Sequence, residues 1–359
     1  MSARPDLRSD GTMKVSIVVN CFHYAGYVGQ AVRSALAQSW PDTEVIVVDD
    51  GSTDGSREAI LACGPRVRAI FKPNGGQGSA YNAGFAAARG DIVIFLDADD
   101  WLYPEAAERI AQAWRPGTSK VQFRLEVVDA AGRARGRHLP SEMHDDDALA
   151  RVARFGSYGT PPGSGNAYAA DFLRRVLPMD EAPWRIAADS VPILLAPAYG
   201  RVVSLRETLG AYRLHRVAEA GGETLLFNNA PRGLWAEFER VRRSQAMVAA
   251  HLQRLGRPEG RAHGAMLLAP WDARLLALCL RFGGPPPAGV AAADAAAAGT
   301  PRPALARLAL RSVWRWPGLG PAMKLLQSLW MAGVWLLPAP LARPIGRLDR
   351  LFKGAPREG

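Results

Sequence analysis

Short apolar runs alternate with stretches of helical spacing over the first hundred residues of the chain. Runs rich in β-branched residues, which are typical of buried strands, lie at 15–19, 44–48, 67–71 and 91–96. Small and apolar residues at helical spacing lie between them, at 29–38, 57–62 and 79–88. Because strands and helices alternate, the pattern predicts an α/β fold with a doubly wound, mainly parallel sheet.

The alternation weakens after residue 104. An apolar strand at 121–128, a turn at 129–132 and a second arm at 133–139 predict a β-hairpin. An edge strand is predicted at 201–205. Helical patterns follow at 234–256 and 263–282.

The C-terminal region has a different composition. Residues 283–303 are mostly Ala, Gly and Pro, which is typical of a linker. Four of the ten Trp residues lie beyond residue 304, among Leu, Val and several Arg. Pro338 and Pro340 keep the uncharged stretch shorter than the roughly 20 residues that a spanning helix needs. Two interpretations remain: a helix lying in the headgroup region of a membrane, or a helix that packs on its own domain or on a partner.

These composition changes predict five segments. The predicted segments are a flexible N-terminus at 1–13, an α/β domain at 14–225, a helical extension at 226–282, the linker at 283–303 and an apolar, basic segment at 304–359.

Charge and cysteine content limit the partners and the compartment. The net charge of +10 favours anionic partners such as nucleotides, phosphorylated lipids or a membrane face. The sequence contains no zinc-finger spacing and no ribonucleoprotein motif, so nucleic acid is not an expected partner. Three widely spaced cysteines indicate a reducing compartment. Residues 1–13 lack the apolar core of a signal peptide, so we expect the catalytic part in the cytosol.

Acidic residues follow two of the predicted strands. Asp97-Ala98-Asp99-Asp100 comes at the carboxyl end of the fourth strand, the edge at which open α/β sheets bind ligands. Two carboxylates one residue apart suit a divalent cation that also holds a phosphate. Asp49-Asp50 ends the second strand, where a carboxylate can accept a hydrogen bond from a ring or a ribose. A capped or solvated turn is the alternative for either pair.

A glycine-rich segment, Asn74 to Gly84, precedes the third predicted helix. Its glycines allow the backbone to approach a ligand closely. It lacks the Gly-Lys-Ser/Thr of a Walker loop, and no glycine triplet of the dinucleotide type follows the first strand. A plain loop is the alternative interpretation.

Together these segments resemble family 2 glycosyltransferases of the GT-A fold. The resemblance is strong over residues 14–115 and traceable to about 216. It rests on Val15 to Val19, Ser34 to Pro41, Val45 to Gly55, Asn74 to Gly84 and Asp97 to Pro104.

The resemblance implies a nucleotide-diphospho-sugar site with a divalent metal ion, Mn²⁺ or Mg²⁺. Asp99 is expected to be the direct metal ligand, Asp97 to lie nearer the ribose and Asp50 to bind the base. The family often has Arg where this chain has Tyr81. The implied nucleotide contacts are Asn20, Phe22, Asp50, Gly76, Asn82 and Asp97, and the implied metal ligands are Asp97, Asp99 and His215.

The second half of the domain contains the implied general base. Asp189, with Ala188 where the family usually has Glu, corresponds to the carboxylate that deprotonates the acceptor hydroxyl. A helix N-cap is the alternative for Asp189. His215 belongs to a Tyr-Arg-Leu-His segment that resembles the end of many family members. The resemblance implies that His215 or Arg213 meets the diphosphate, and a structural role is the alternative for the histidine. The predicted acceptor side consists of Trp101, Ser164 and Asn166.

The implied function is that of an inverting glycosyltransferase. The expected donor is a nucleoside-diphosphate sugar, of the UDP type, and the expected acceptor is a hydroxyl of a lipid-linked or cell-surface glycan. The expected place is the inner face of the cytoplasmic membrane, with peripheral contact through residues 304–359. A nucleotidyltransferase that makes an activated sugar, and a non-catalytic nucleotide- or glycan-binding partner, are the alternatives.

Overall fold

The computed structural model of the chain describes residues 13–215, 217–219, 222–224, 233–258, 266–285 and 301–348. Most of the predicted flexible N-terminus, most of the predicted linker and the last eleven residues lie outside the described ranges. The chain divides into two compact units. Unit 1 comprises Met1–Ala148 and Gly159–Asn228, and unit 2 comprises Leu149–Tyr158 and Asn229–Gly359.

Nine strands of the described part of unit 1 form one sheet, in the order β3-β2-β1-β4-β8-β6-β9-β5, with β7 paired to β6. The strands are β1 Val15–Cys21, β2 Thr43–Asp49, β3 Val67–Phe71, β4 Ile92–Asp97, β5 Trp101–Leu102, β6 Thr118–Val128, β7 Ala134–Leu139, β8 Asn166–Ala169 and β9 Arg201–Arg213. A separate pair consists of β10 Val217–Glu219 and β11 Gly222–Thr224.

The helices of unit 1 lie between the strands, as the alternating pattern predicts. They are α1 Val28–Leu36, α2 Ser56–Leu61, α3 Gln77–Ala87, α4 Ala106–Ala113, α6 Ala170–Leu173 and α7 Ser190–Tyr199. Unit 2 contains α5 Ala148–Phe155, whose first residue still belongs to unit 1. Its other described helices are α8 Leu234–Arg254, α9 Pro270–Phe282, α10 Pro301–Arg315, α11 Pro321–Leu336 and α12 Ala339–Arg347.

The predicted α/β class is confirmed. Strands β1 to β4 are parallel to one another, in the arrangement that places all their carboxyl ends on one edge. The predicted hairpin is also confirmed, since β6 and β7 pair antiparallel. The strand predicted at 201–205 is confirmed as the first part of β9, where these residues pair with β6. The strand is longer than predicted, since it runs for 13 residues, and β5 pairs with it further on, at Gly210 and Ala211. At Gly210 and Ala211 both edges of β9 are therefore hydrogen-bonded within the sheet.

Buried β-branched side chains hold the helices of unit 1 on the sheet. All seven residues of β1 are buried, and Ile17 and Val19 belong to the main apolar core. Helix α3 approaches β1 closely, since a Cβ added at Gly84 would lie 2.3 Å from Cγ1 of Val18. The small residues of α3 are therefore a packing requirement, and this close packing fixes the loop that precedes the helix.

Unit 2 has an apolar core of its own. Trp235 and Phe238 of α8 pack with α9, α10 and α11, and Trp330 and Met331 of α11 are buried there. The predicted C-terminal segment thus packs on its own unit, which is one of the two interpretations. Two predicted boundaries are wrong: α9 begins at Pro270, which occupies its first turn, and residues 301–303 of the expected linker are helical. In the described ranges no helix is both long and apolar enough to cross a bilayer.

Candidate functional site

The candidate site lies at the carboxyl edge of β1, β2 and β4. In the strand register Asn20 of β1 is opposite Asp97 of β4, and Cys21 is opposite Asp49 of β2. The turn after β4 folds back toward β1, because the N–H of Ala98 donates to the Asn20 carbonyl at 3.1 Å. The structure therefore brings the two predicted acidic segments to the same edge of the sheet.

Three carboxylates lie at the end of β4 and in the turn that follows it, at Asp97, Asp99 and Asp100, and we call residues 97–100 the acidic segment. Asp99 and Asp100 are buried. Burial raises the pKa of Asp97 well above its usual range, and repulsion by the carboxylates of Asp99 and Asp189 raises it further. Burial and the neighbouring Asp99 likewise raise the pKa of Asp100. A group of buried like charges has a high electrostatic free energy, which a bound cation would lower.

Asp99 lies beside His215, which follows β9. Oδ2 of Asp99 is 2.9 Å from Nε2 of His215. The imidazole packs between aromatic rings, with centroid distances of 5.9 Å to Tyr24 and 5.1 Å to Tyr27. The Tyr24 side chain also forms a hydrogen bond with Asp99, and its pKa is raised mainly by burial and then by the surrounding carboxylates. The structure thus brings two of the predicted metal ligands into direct contact.

Arg213 holds the acidic segment in place. Its backbone N–H donates to Oδ1 of Asp100 at 2.9 Å, and its Nε donates to the backbone carbonyl of Asp99 at 2.9 Å. The guanidinium also stacks on Tyr27 and Trp101, at 4.8 Å and 5.0 Å from the ring centroids. Arg213 therefore fixes the acidic segment through the carbonyl of Asp99 and the carboxylate of Asp100.

The tip of β1 presents an amide and an aromatic ring. The Asn20 side chain is buried, and within the described part of the chain its Oδ1 and Nδ2 have no hydrogen-bond partner. A buried amide without partners is costly and is typical of a site that a ligand completes. Phe22 is 42% exposed and stacks on His23 with ring centroids 4.0 Å apart. Phe22 is thus accessible from outside, whereas the Asn20 amide is buried next to it in the chain.

His23 is a residue of this edge that the sequence interpretation missed. Its backbone has a φ of 60°, and its N–H donates to Oγ of Ser52 at 2.9 Å. The left-handed backbone turns the chain so that the two rings stack, and the Ser52 contact ties β1 to the turn after β2. Its position directly after Phe22 was the available signal.

The carboxylate of Asp50 organises the glycine-rich loop. Oδ1 accepts from the N–H of Gly75 at 3.0 Å and from Nζ of Lys72 at 2.7 Å, and Oδ2 accepts from the N–H of Gly76 at 2.7 Å. The N–H of Gly76 is thus bonded to Asp50, and its predicted contact with the nucleotide stays a prediction. A Cβ at Gly76 would also lie 2.7 Å from Cα of Arg185, so the glycine permits close packing of two backbones.

The same loop binds the segment that contains Asp189. The backbone carbonyl of Arg185 accepts from the Gln77 N–H at 2.9 Å, and its guanidinium donates to Oδ1 of Asn74 at 2.6 Å. Oε1 of Gln77 accepts from the backbone N–H of Ala188 at 2.9 Å. The Gln77 side chain also hydrogen-bonds the Asp97 carboxylate. These contacts fix Asp189 relative to Asp97, and the first N–H groups of α3 are used by protein carbonyls.

Asp189 occupies the N-cap position of α7, but its side chain forms no capping hydrogen bond with that helix. The residue is half-buried, and a Cβ added at Gly163 would lie 3.6 Å from its Oδ2. The same Cβ would lie 3.4 Å from the hydroxyl of Tyr81. The geometry therefore places a carboxylate, a phenol and a glycine backbone together beside Asp97.

Tyr81 fills the position at which the resemblance leads one to expect Arg. The ring is buried and stacks on Phe95 with centroids 4.0 Å apart. Burial raises its pKa well above the usual range, and the nearby carboxylates of Asp97 and Asp189 raise it further. A neutral hydroxyl, and not a fixed positive charge, therefore faces the two carboxylates.

Two of the predicted acceptor residues, Ser164 and Asn166, form hydrogen bonds with backbone groups. Oγ of Ser164 accepts from the backbone N–H of Asp97 at 3.1 Å. Nδ2 of Asn166 donates to the carbonyl of Pro162 at 2.8 Å, inside its own loop. Both side chains are fully buried and bond backbone groups, and their predicted place on the acceptor side stays a prediction. Polar residues in this loop satisfy backbone groups that burial would otherwise leave unpaired.

Trp101 and Asn82 form contacts within the protein that the sequence did not predict. One face of the Trp101 ring is occupied by Arg213, and its backbone pairs with Ala211 in the sheet. Asn82 forms a two-way contact with the backbone of Met179, its Oδ1 accepting at 2.9 Å and its Nδ2 donating at 2.9 Å. The amide of Asn82 thus secures the segment before Asp189, and its predicted nucleotide contact stays a prediction.

The acidic edge fits a cation that arrives with a phosphate. Among the described residues no group of three or more His, Cys, Asp or Glu is arranged to hold a metal ion, so the predicted three-residue set is not a complete protein cage. Mg²⁺ and similar ions are commonly held by one or two protein ligands together with substrate phosphates and water. The Asp99–His215 pair supplies an oxygen and a nitrogen at one place, which is compatible with such a shared site.

Sequence comparisons relate part of the chain to glycosyltransferases. The profile described as "Glycosyl transferase family 2" matches residues 16–176. An uncharacterized glycosyltransferase from Nostoc sp. is 36% identical over 210 residues, which are 56% of this chain and 65% of that protein. Chondroitin synthase from Pasteurella multocida is 44% identical over 97 residues, which are 26% of this chain and 10% of that protein. The chain thus spans less than two thirds of the length of either relative.

The fold is similar to that of a solved structure. The structure of S. aureus TarS in complex with UDP-GlcNAc superposes with a TM-score of 0.52 at 16% identity, covering 95% of this chain and 92% of that chain. At this level of identity the similarity concerns the fold.

Proposed function

We propose, from the premise that residues 16–176 belong to glycosyltransferase family 2, that this protein transfers a sugar from a nucleoside diphosphate to an acceptor hydroxyl. The observation that carries the proposal is the convergence of three features at one sheet edge. These are the unpartnered amide of Asn20, the buried Asp99 in contact with His215, and Asp189 beside Asp97. They correspond to the needs of nucleotide binding, diphosphate binding and proton transfer.

The nucleoside would lie against the tip of β1. Phe22 offers an exposed ring for stacking, and Asn20 offers one donor and one acceptor that the folded chain leaves unused. The Asp50 carboxylate is already bound by the glycine-rich loop, and its remaining lone pairs are available to a base donor. We take a UDP-type donor as the working assignment, in line with the UDP-GlcNAc that the TarS structure contains.

The diphosphate would lie at Asp99 and His215, with Asp97 next to them. Mn²⁺ or Mg²⁺ bound by Asp99 and His215 would neutralise the charge that develops on the leaving nucleoside diphosphate. The protein's own contribution is to hold these ligands. Arg213 bonds the backbone carbonyl of Asp99 and the carboxylate of Asp100, and Tyr24 hydrogen-bonds the Asp99 carboxylate.

Asp189 would accept the proton of the acceptor hydroxyl at its carboxylate oxygen. Its side chain makes no capping hydrogen bond with α7 and lies beside Tyr81 and Gly163, which supports a role other than capping. The acceptor oxygen would form its bond to the anomeric carbon on the face opposite to the bond that breaks, so the configuration inverts. Gln77 and Asn82 keep the Asp189 segment in register with Asp97.

The proposed acceptor is a lipid-linked or cell-surface glycan at the inner face of the cytoplasmic membrane. The match to a chondroitin synthase supports a glycan as acceptor, and the net charge of +10 supports an anionic surface. A nucleotidyltransferase is less well supported, because residues 20–27 after β1 contain no Lys or Arg for an incoming triphosphate. We therefore propose sugar transfer alone.

A panel of nucleoside-diphosphate sugars tests this function. Release of the nucleoside diphosphate is measured with each donor, with Mn²⁺ and a membrane extract as the acceptor source. We expect one donor to be consumed by the native chain, and Asp189→Asn to reduce its turnover by at least ~10²-fold while donor affinity stays unchanged. Turnover of Asp189→Asn at the native rate would contradict the assigned base, and consumption of no donor would contradict the function.

A further inference from the structure

Helix α11 of unit 2 leaves a row of leucines uncovered. Leu325, Leu326, Leu329 and Leu336 are exposed by 53%, 51%, 60% and 83%, respectively. Isolated exposed leucines are common on protein surfaces, but four on one helix of 16 residues form a continuous apolar surface. We call these four residues the leucine face.

The leucine face and the buried face lie on opposite sides of the same helix. Positions 325, 329 and 336 recur at helical spacing, with 326 one step around the helix. Trp330, Met331 and Val334, which lie on the opposite side, are buried in the core of unit 2. The helix therefore packs on unit 2 through one side, while its other side exposes apolar residues that a partner could cover.

Trp314 of α10 lies beside the leucine face. Its ring is half exposed, and its Nε1 donates to Oγ of Ser328 at 3.1 Å, which anchors the indole to α11. Leu341 of α12 is exposed as well. An exposed indole with a bonded N–H at the border of an apolar surface is typical of proteins that lie at a lipid headgroup boundary.

All charged residues in α10, α11 and α12 are positive. Residues 301–348 contain seven Arg or Lys and no Asp or Glu. Lys324 precedes the leucine face directly, and Arg315 follows Trp314. Apolar side chains together with cations, without a single anionic residue, complement a surface that is itself anionic and apolar beneath.

We propose that the leucine face docks on an anionic lipid bilayer, with α11 lying in the plane of the surface. With 16 residues α11 is too short to cross the bilayer, so it lies along it. The inference rests on the proposed function only for the location of the acceptor. Vesicle binding needs no donor or metal, so its outcome and that of the transfer assay are distinguishable.

Sedimentation of the full chain with vesicles tests the docking surface. The vesicles contain either phosphatidylglycerol mixed with phosphatidylcholine or phosphatidylcholine alone. We expect binding to the anionic vesicles, weakening at high salt because the cations are screened, and at least tenfold weaker binding to the neutral ones. The double variant Leu325→Glu/Leu329→Glu should lose at least tenfold in binding to the anionic vesicles.

Leu61→Glu provides a matched control. Leu61 is exposed by 59% on α2 of unit 1, so Leu61→Glu adds one negative charge at a leucine as exposed as Leu329, and it is compared with the single variant Leu329→Glu. A milder variant, Leu336→Ser, removes an apolar contact without adding charge, and far-UV circular dichroism checks that each variant is folded. We expect Leu61→Glu to bind like the native chain and Leu336→Ser to bind more weakly.

Three results would overturn the proposal. The first is equal vesicle binding by the native chain and the double variant. The second is equal binding to neutral and anionic vesicles. The third is no binding of the native chain to the anionic vesicles. In that case, a dimer that is seen by analytical ultracentrifugation and abolished by the double variant would show that a second copy of the chain covers the leucine face.

Discussion

Oδ2 of Asp99 and Nε2 of His215 lie 2.9 Å apart, although 116 positions separate the two residues in the chain. The contact exists because β9 crosses the sheet beside β6 and ends at the edge where β4 ends. The same strand supplies Arg213, which bonds the backbone of Asp99 and the carboxylate of Asp100. The last strand of the large sheet therefore completes a site that the first four strands begin.

Gln77→Ala should slow turnover without weakening donor binding. Gln77 bonds Ala188 at 2.9 Å and also the Asp97 carboxylate, so its removal loosens the position of Asp189. Because displacements of about 1 Å can cost ~10²-fold in rate, we expect kcat to fall by 10- to 100-fold and KM for the donor to change less than threefold. Gln112→Ala, an exposed glutamine of α4, is the control. An unchanged kcat would show that Gln77 does not position the base.

Asn20→Leu should raise stability and weaken nucleotide binding. The Asn20 amide is buried without partners in the described structure, and an unpaired buried polar group costs about 1–3 kcal/mol. A leucine of similar size would remove that cost, so we expect a Tm increase of a few degrees. Nucleoside-diphosphate affinity should fall at least tenfold. A lower Tm together with native affinity would contradict the role given to Asn20.

Asp272 should make unit 2 less stable as the pH rises. Burial raises its pKa to about 7, partly offset by Arg240. A carboxyl whose pKa is higher in the folded than in the unfolded state binds its proton more tightly when folded, so stability is greatest below the unfolded pKa and falls as the pH rises through about 7. Asp272→Asn should therefore raise Tm more at pH 8 than at pH 5. Equal shifts at both pH values, measured by calorimetry, would contradict this.

Gly84→Ala should destabilise unit 1. The added Cβ would lie 2.3 Å from Cγ1 of Val18, so α3 or β1 must move. Overpacking of this kind typically costs about 1–3 kcal/mol, which chemical denaturation measures. Gly26→Ala is the matched control, because no atom lies within 4 Å of its added Cβ. Equal stability of the two variants would mean that α3 does not need its close approach to the sheet.

The edge of the site was predictable because parallel strands place their tips together. Asn20, the second-last residue of β1, and Asp97, the last residue of β4, are neighbours in the register, as the alternating pattern implies. The sequence could not distinguish polar residues that meet a ligand from polar residues that bond the backbone. Ser164 and Asn166 are of the second kind, and that distinction depends on a loop fold that no local pattern encodes.

Contacts between segments far apart in the chain also could not be predicted from the sequence. Gln77 and Arg185 join the glycine-rich loop to the Asp189 segment across more than a hundred residues, and neither belongs to a recognisable motif. The leucines of α11 gave a similar problem. An uncharged stretch at 325–342 predicts burial or a membrane, and only the packing of unit 2 separates the buried Met331 from the exposed Leu329.

The central claim is that Asp99 binds a cation together with the diphosphate of a nucleotide. Isothermal titration calorimetry of UDP, with and without Mn²⁺, tests it in the native chain and in Asp99→Asn, with the surface variant Asp171→Asn as control. We expect Mn²⁺ to tighten UDP binding at least tenfold in the native chain and in the control, and to have no effect on Asp99→Asn. Tightening of the same size in Asp99→Asn, or none in the native chain, would contradict the account.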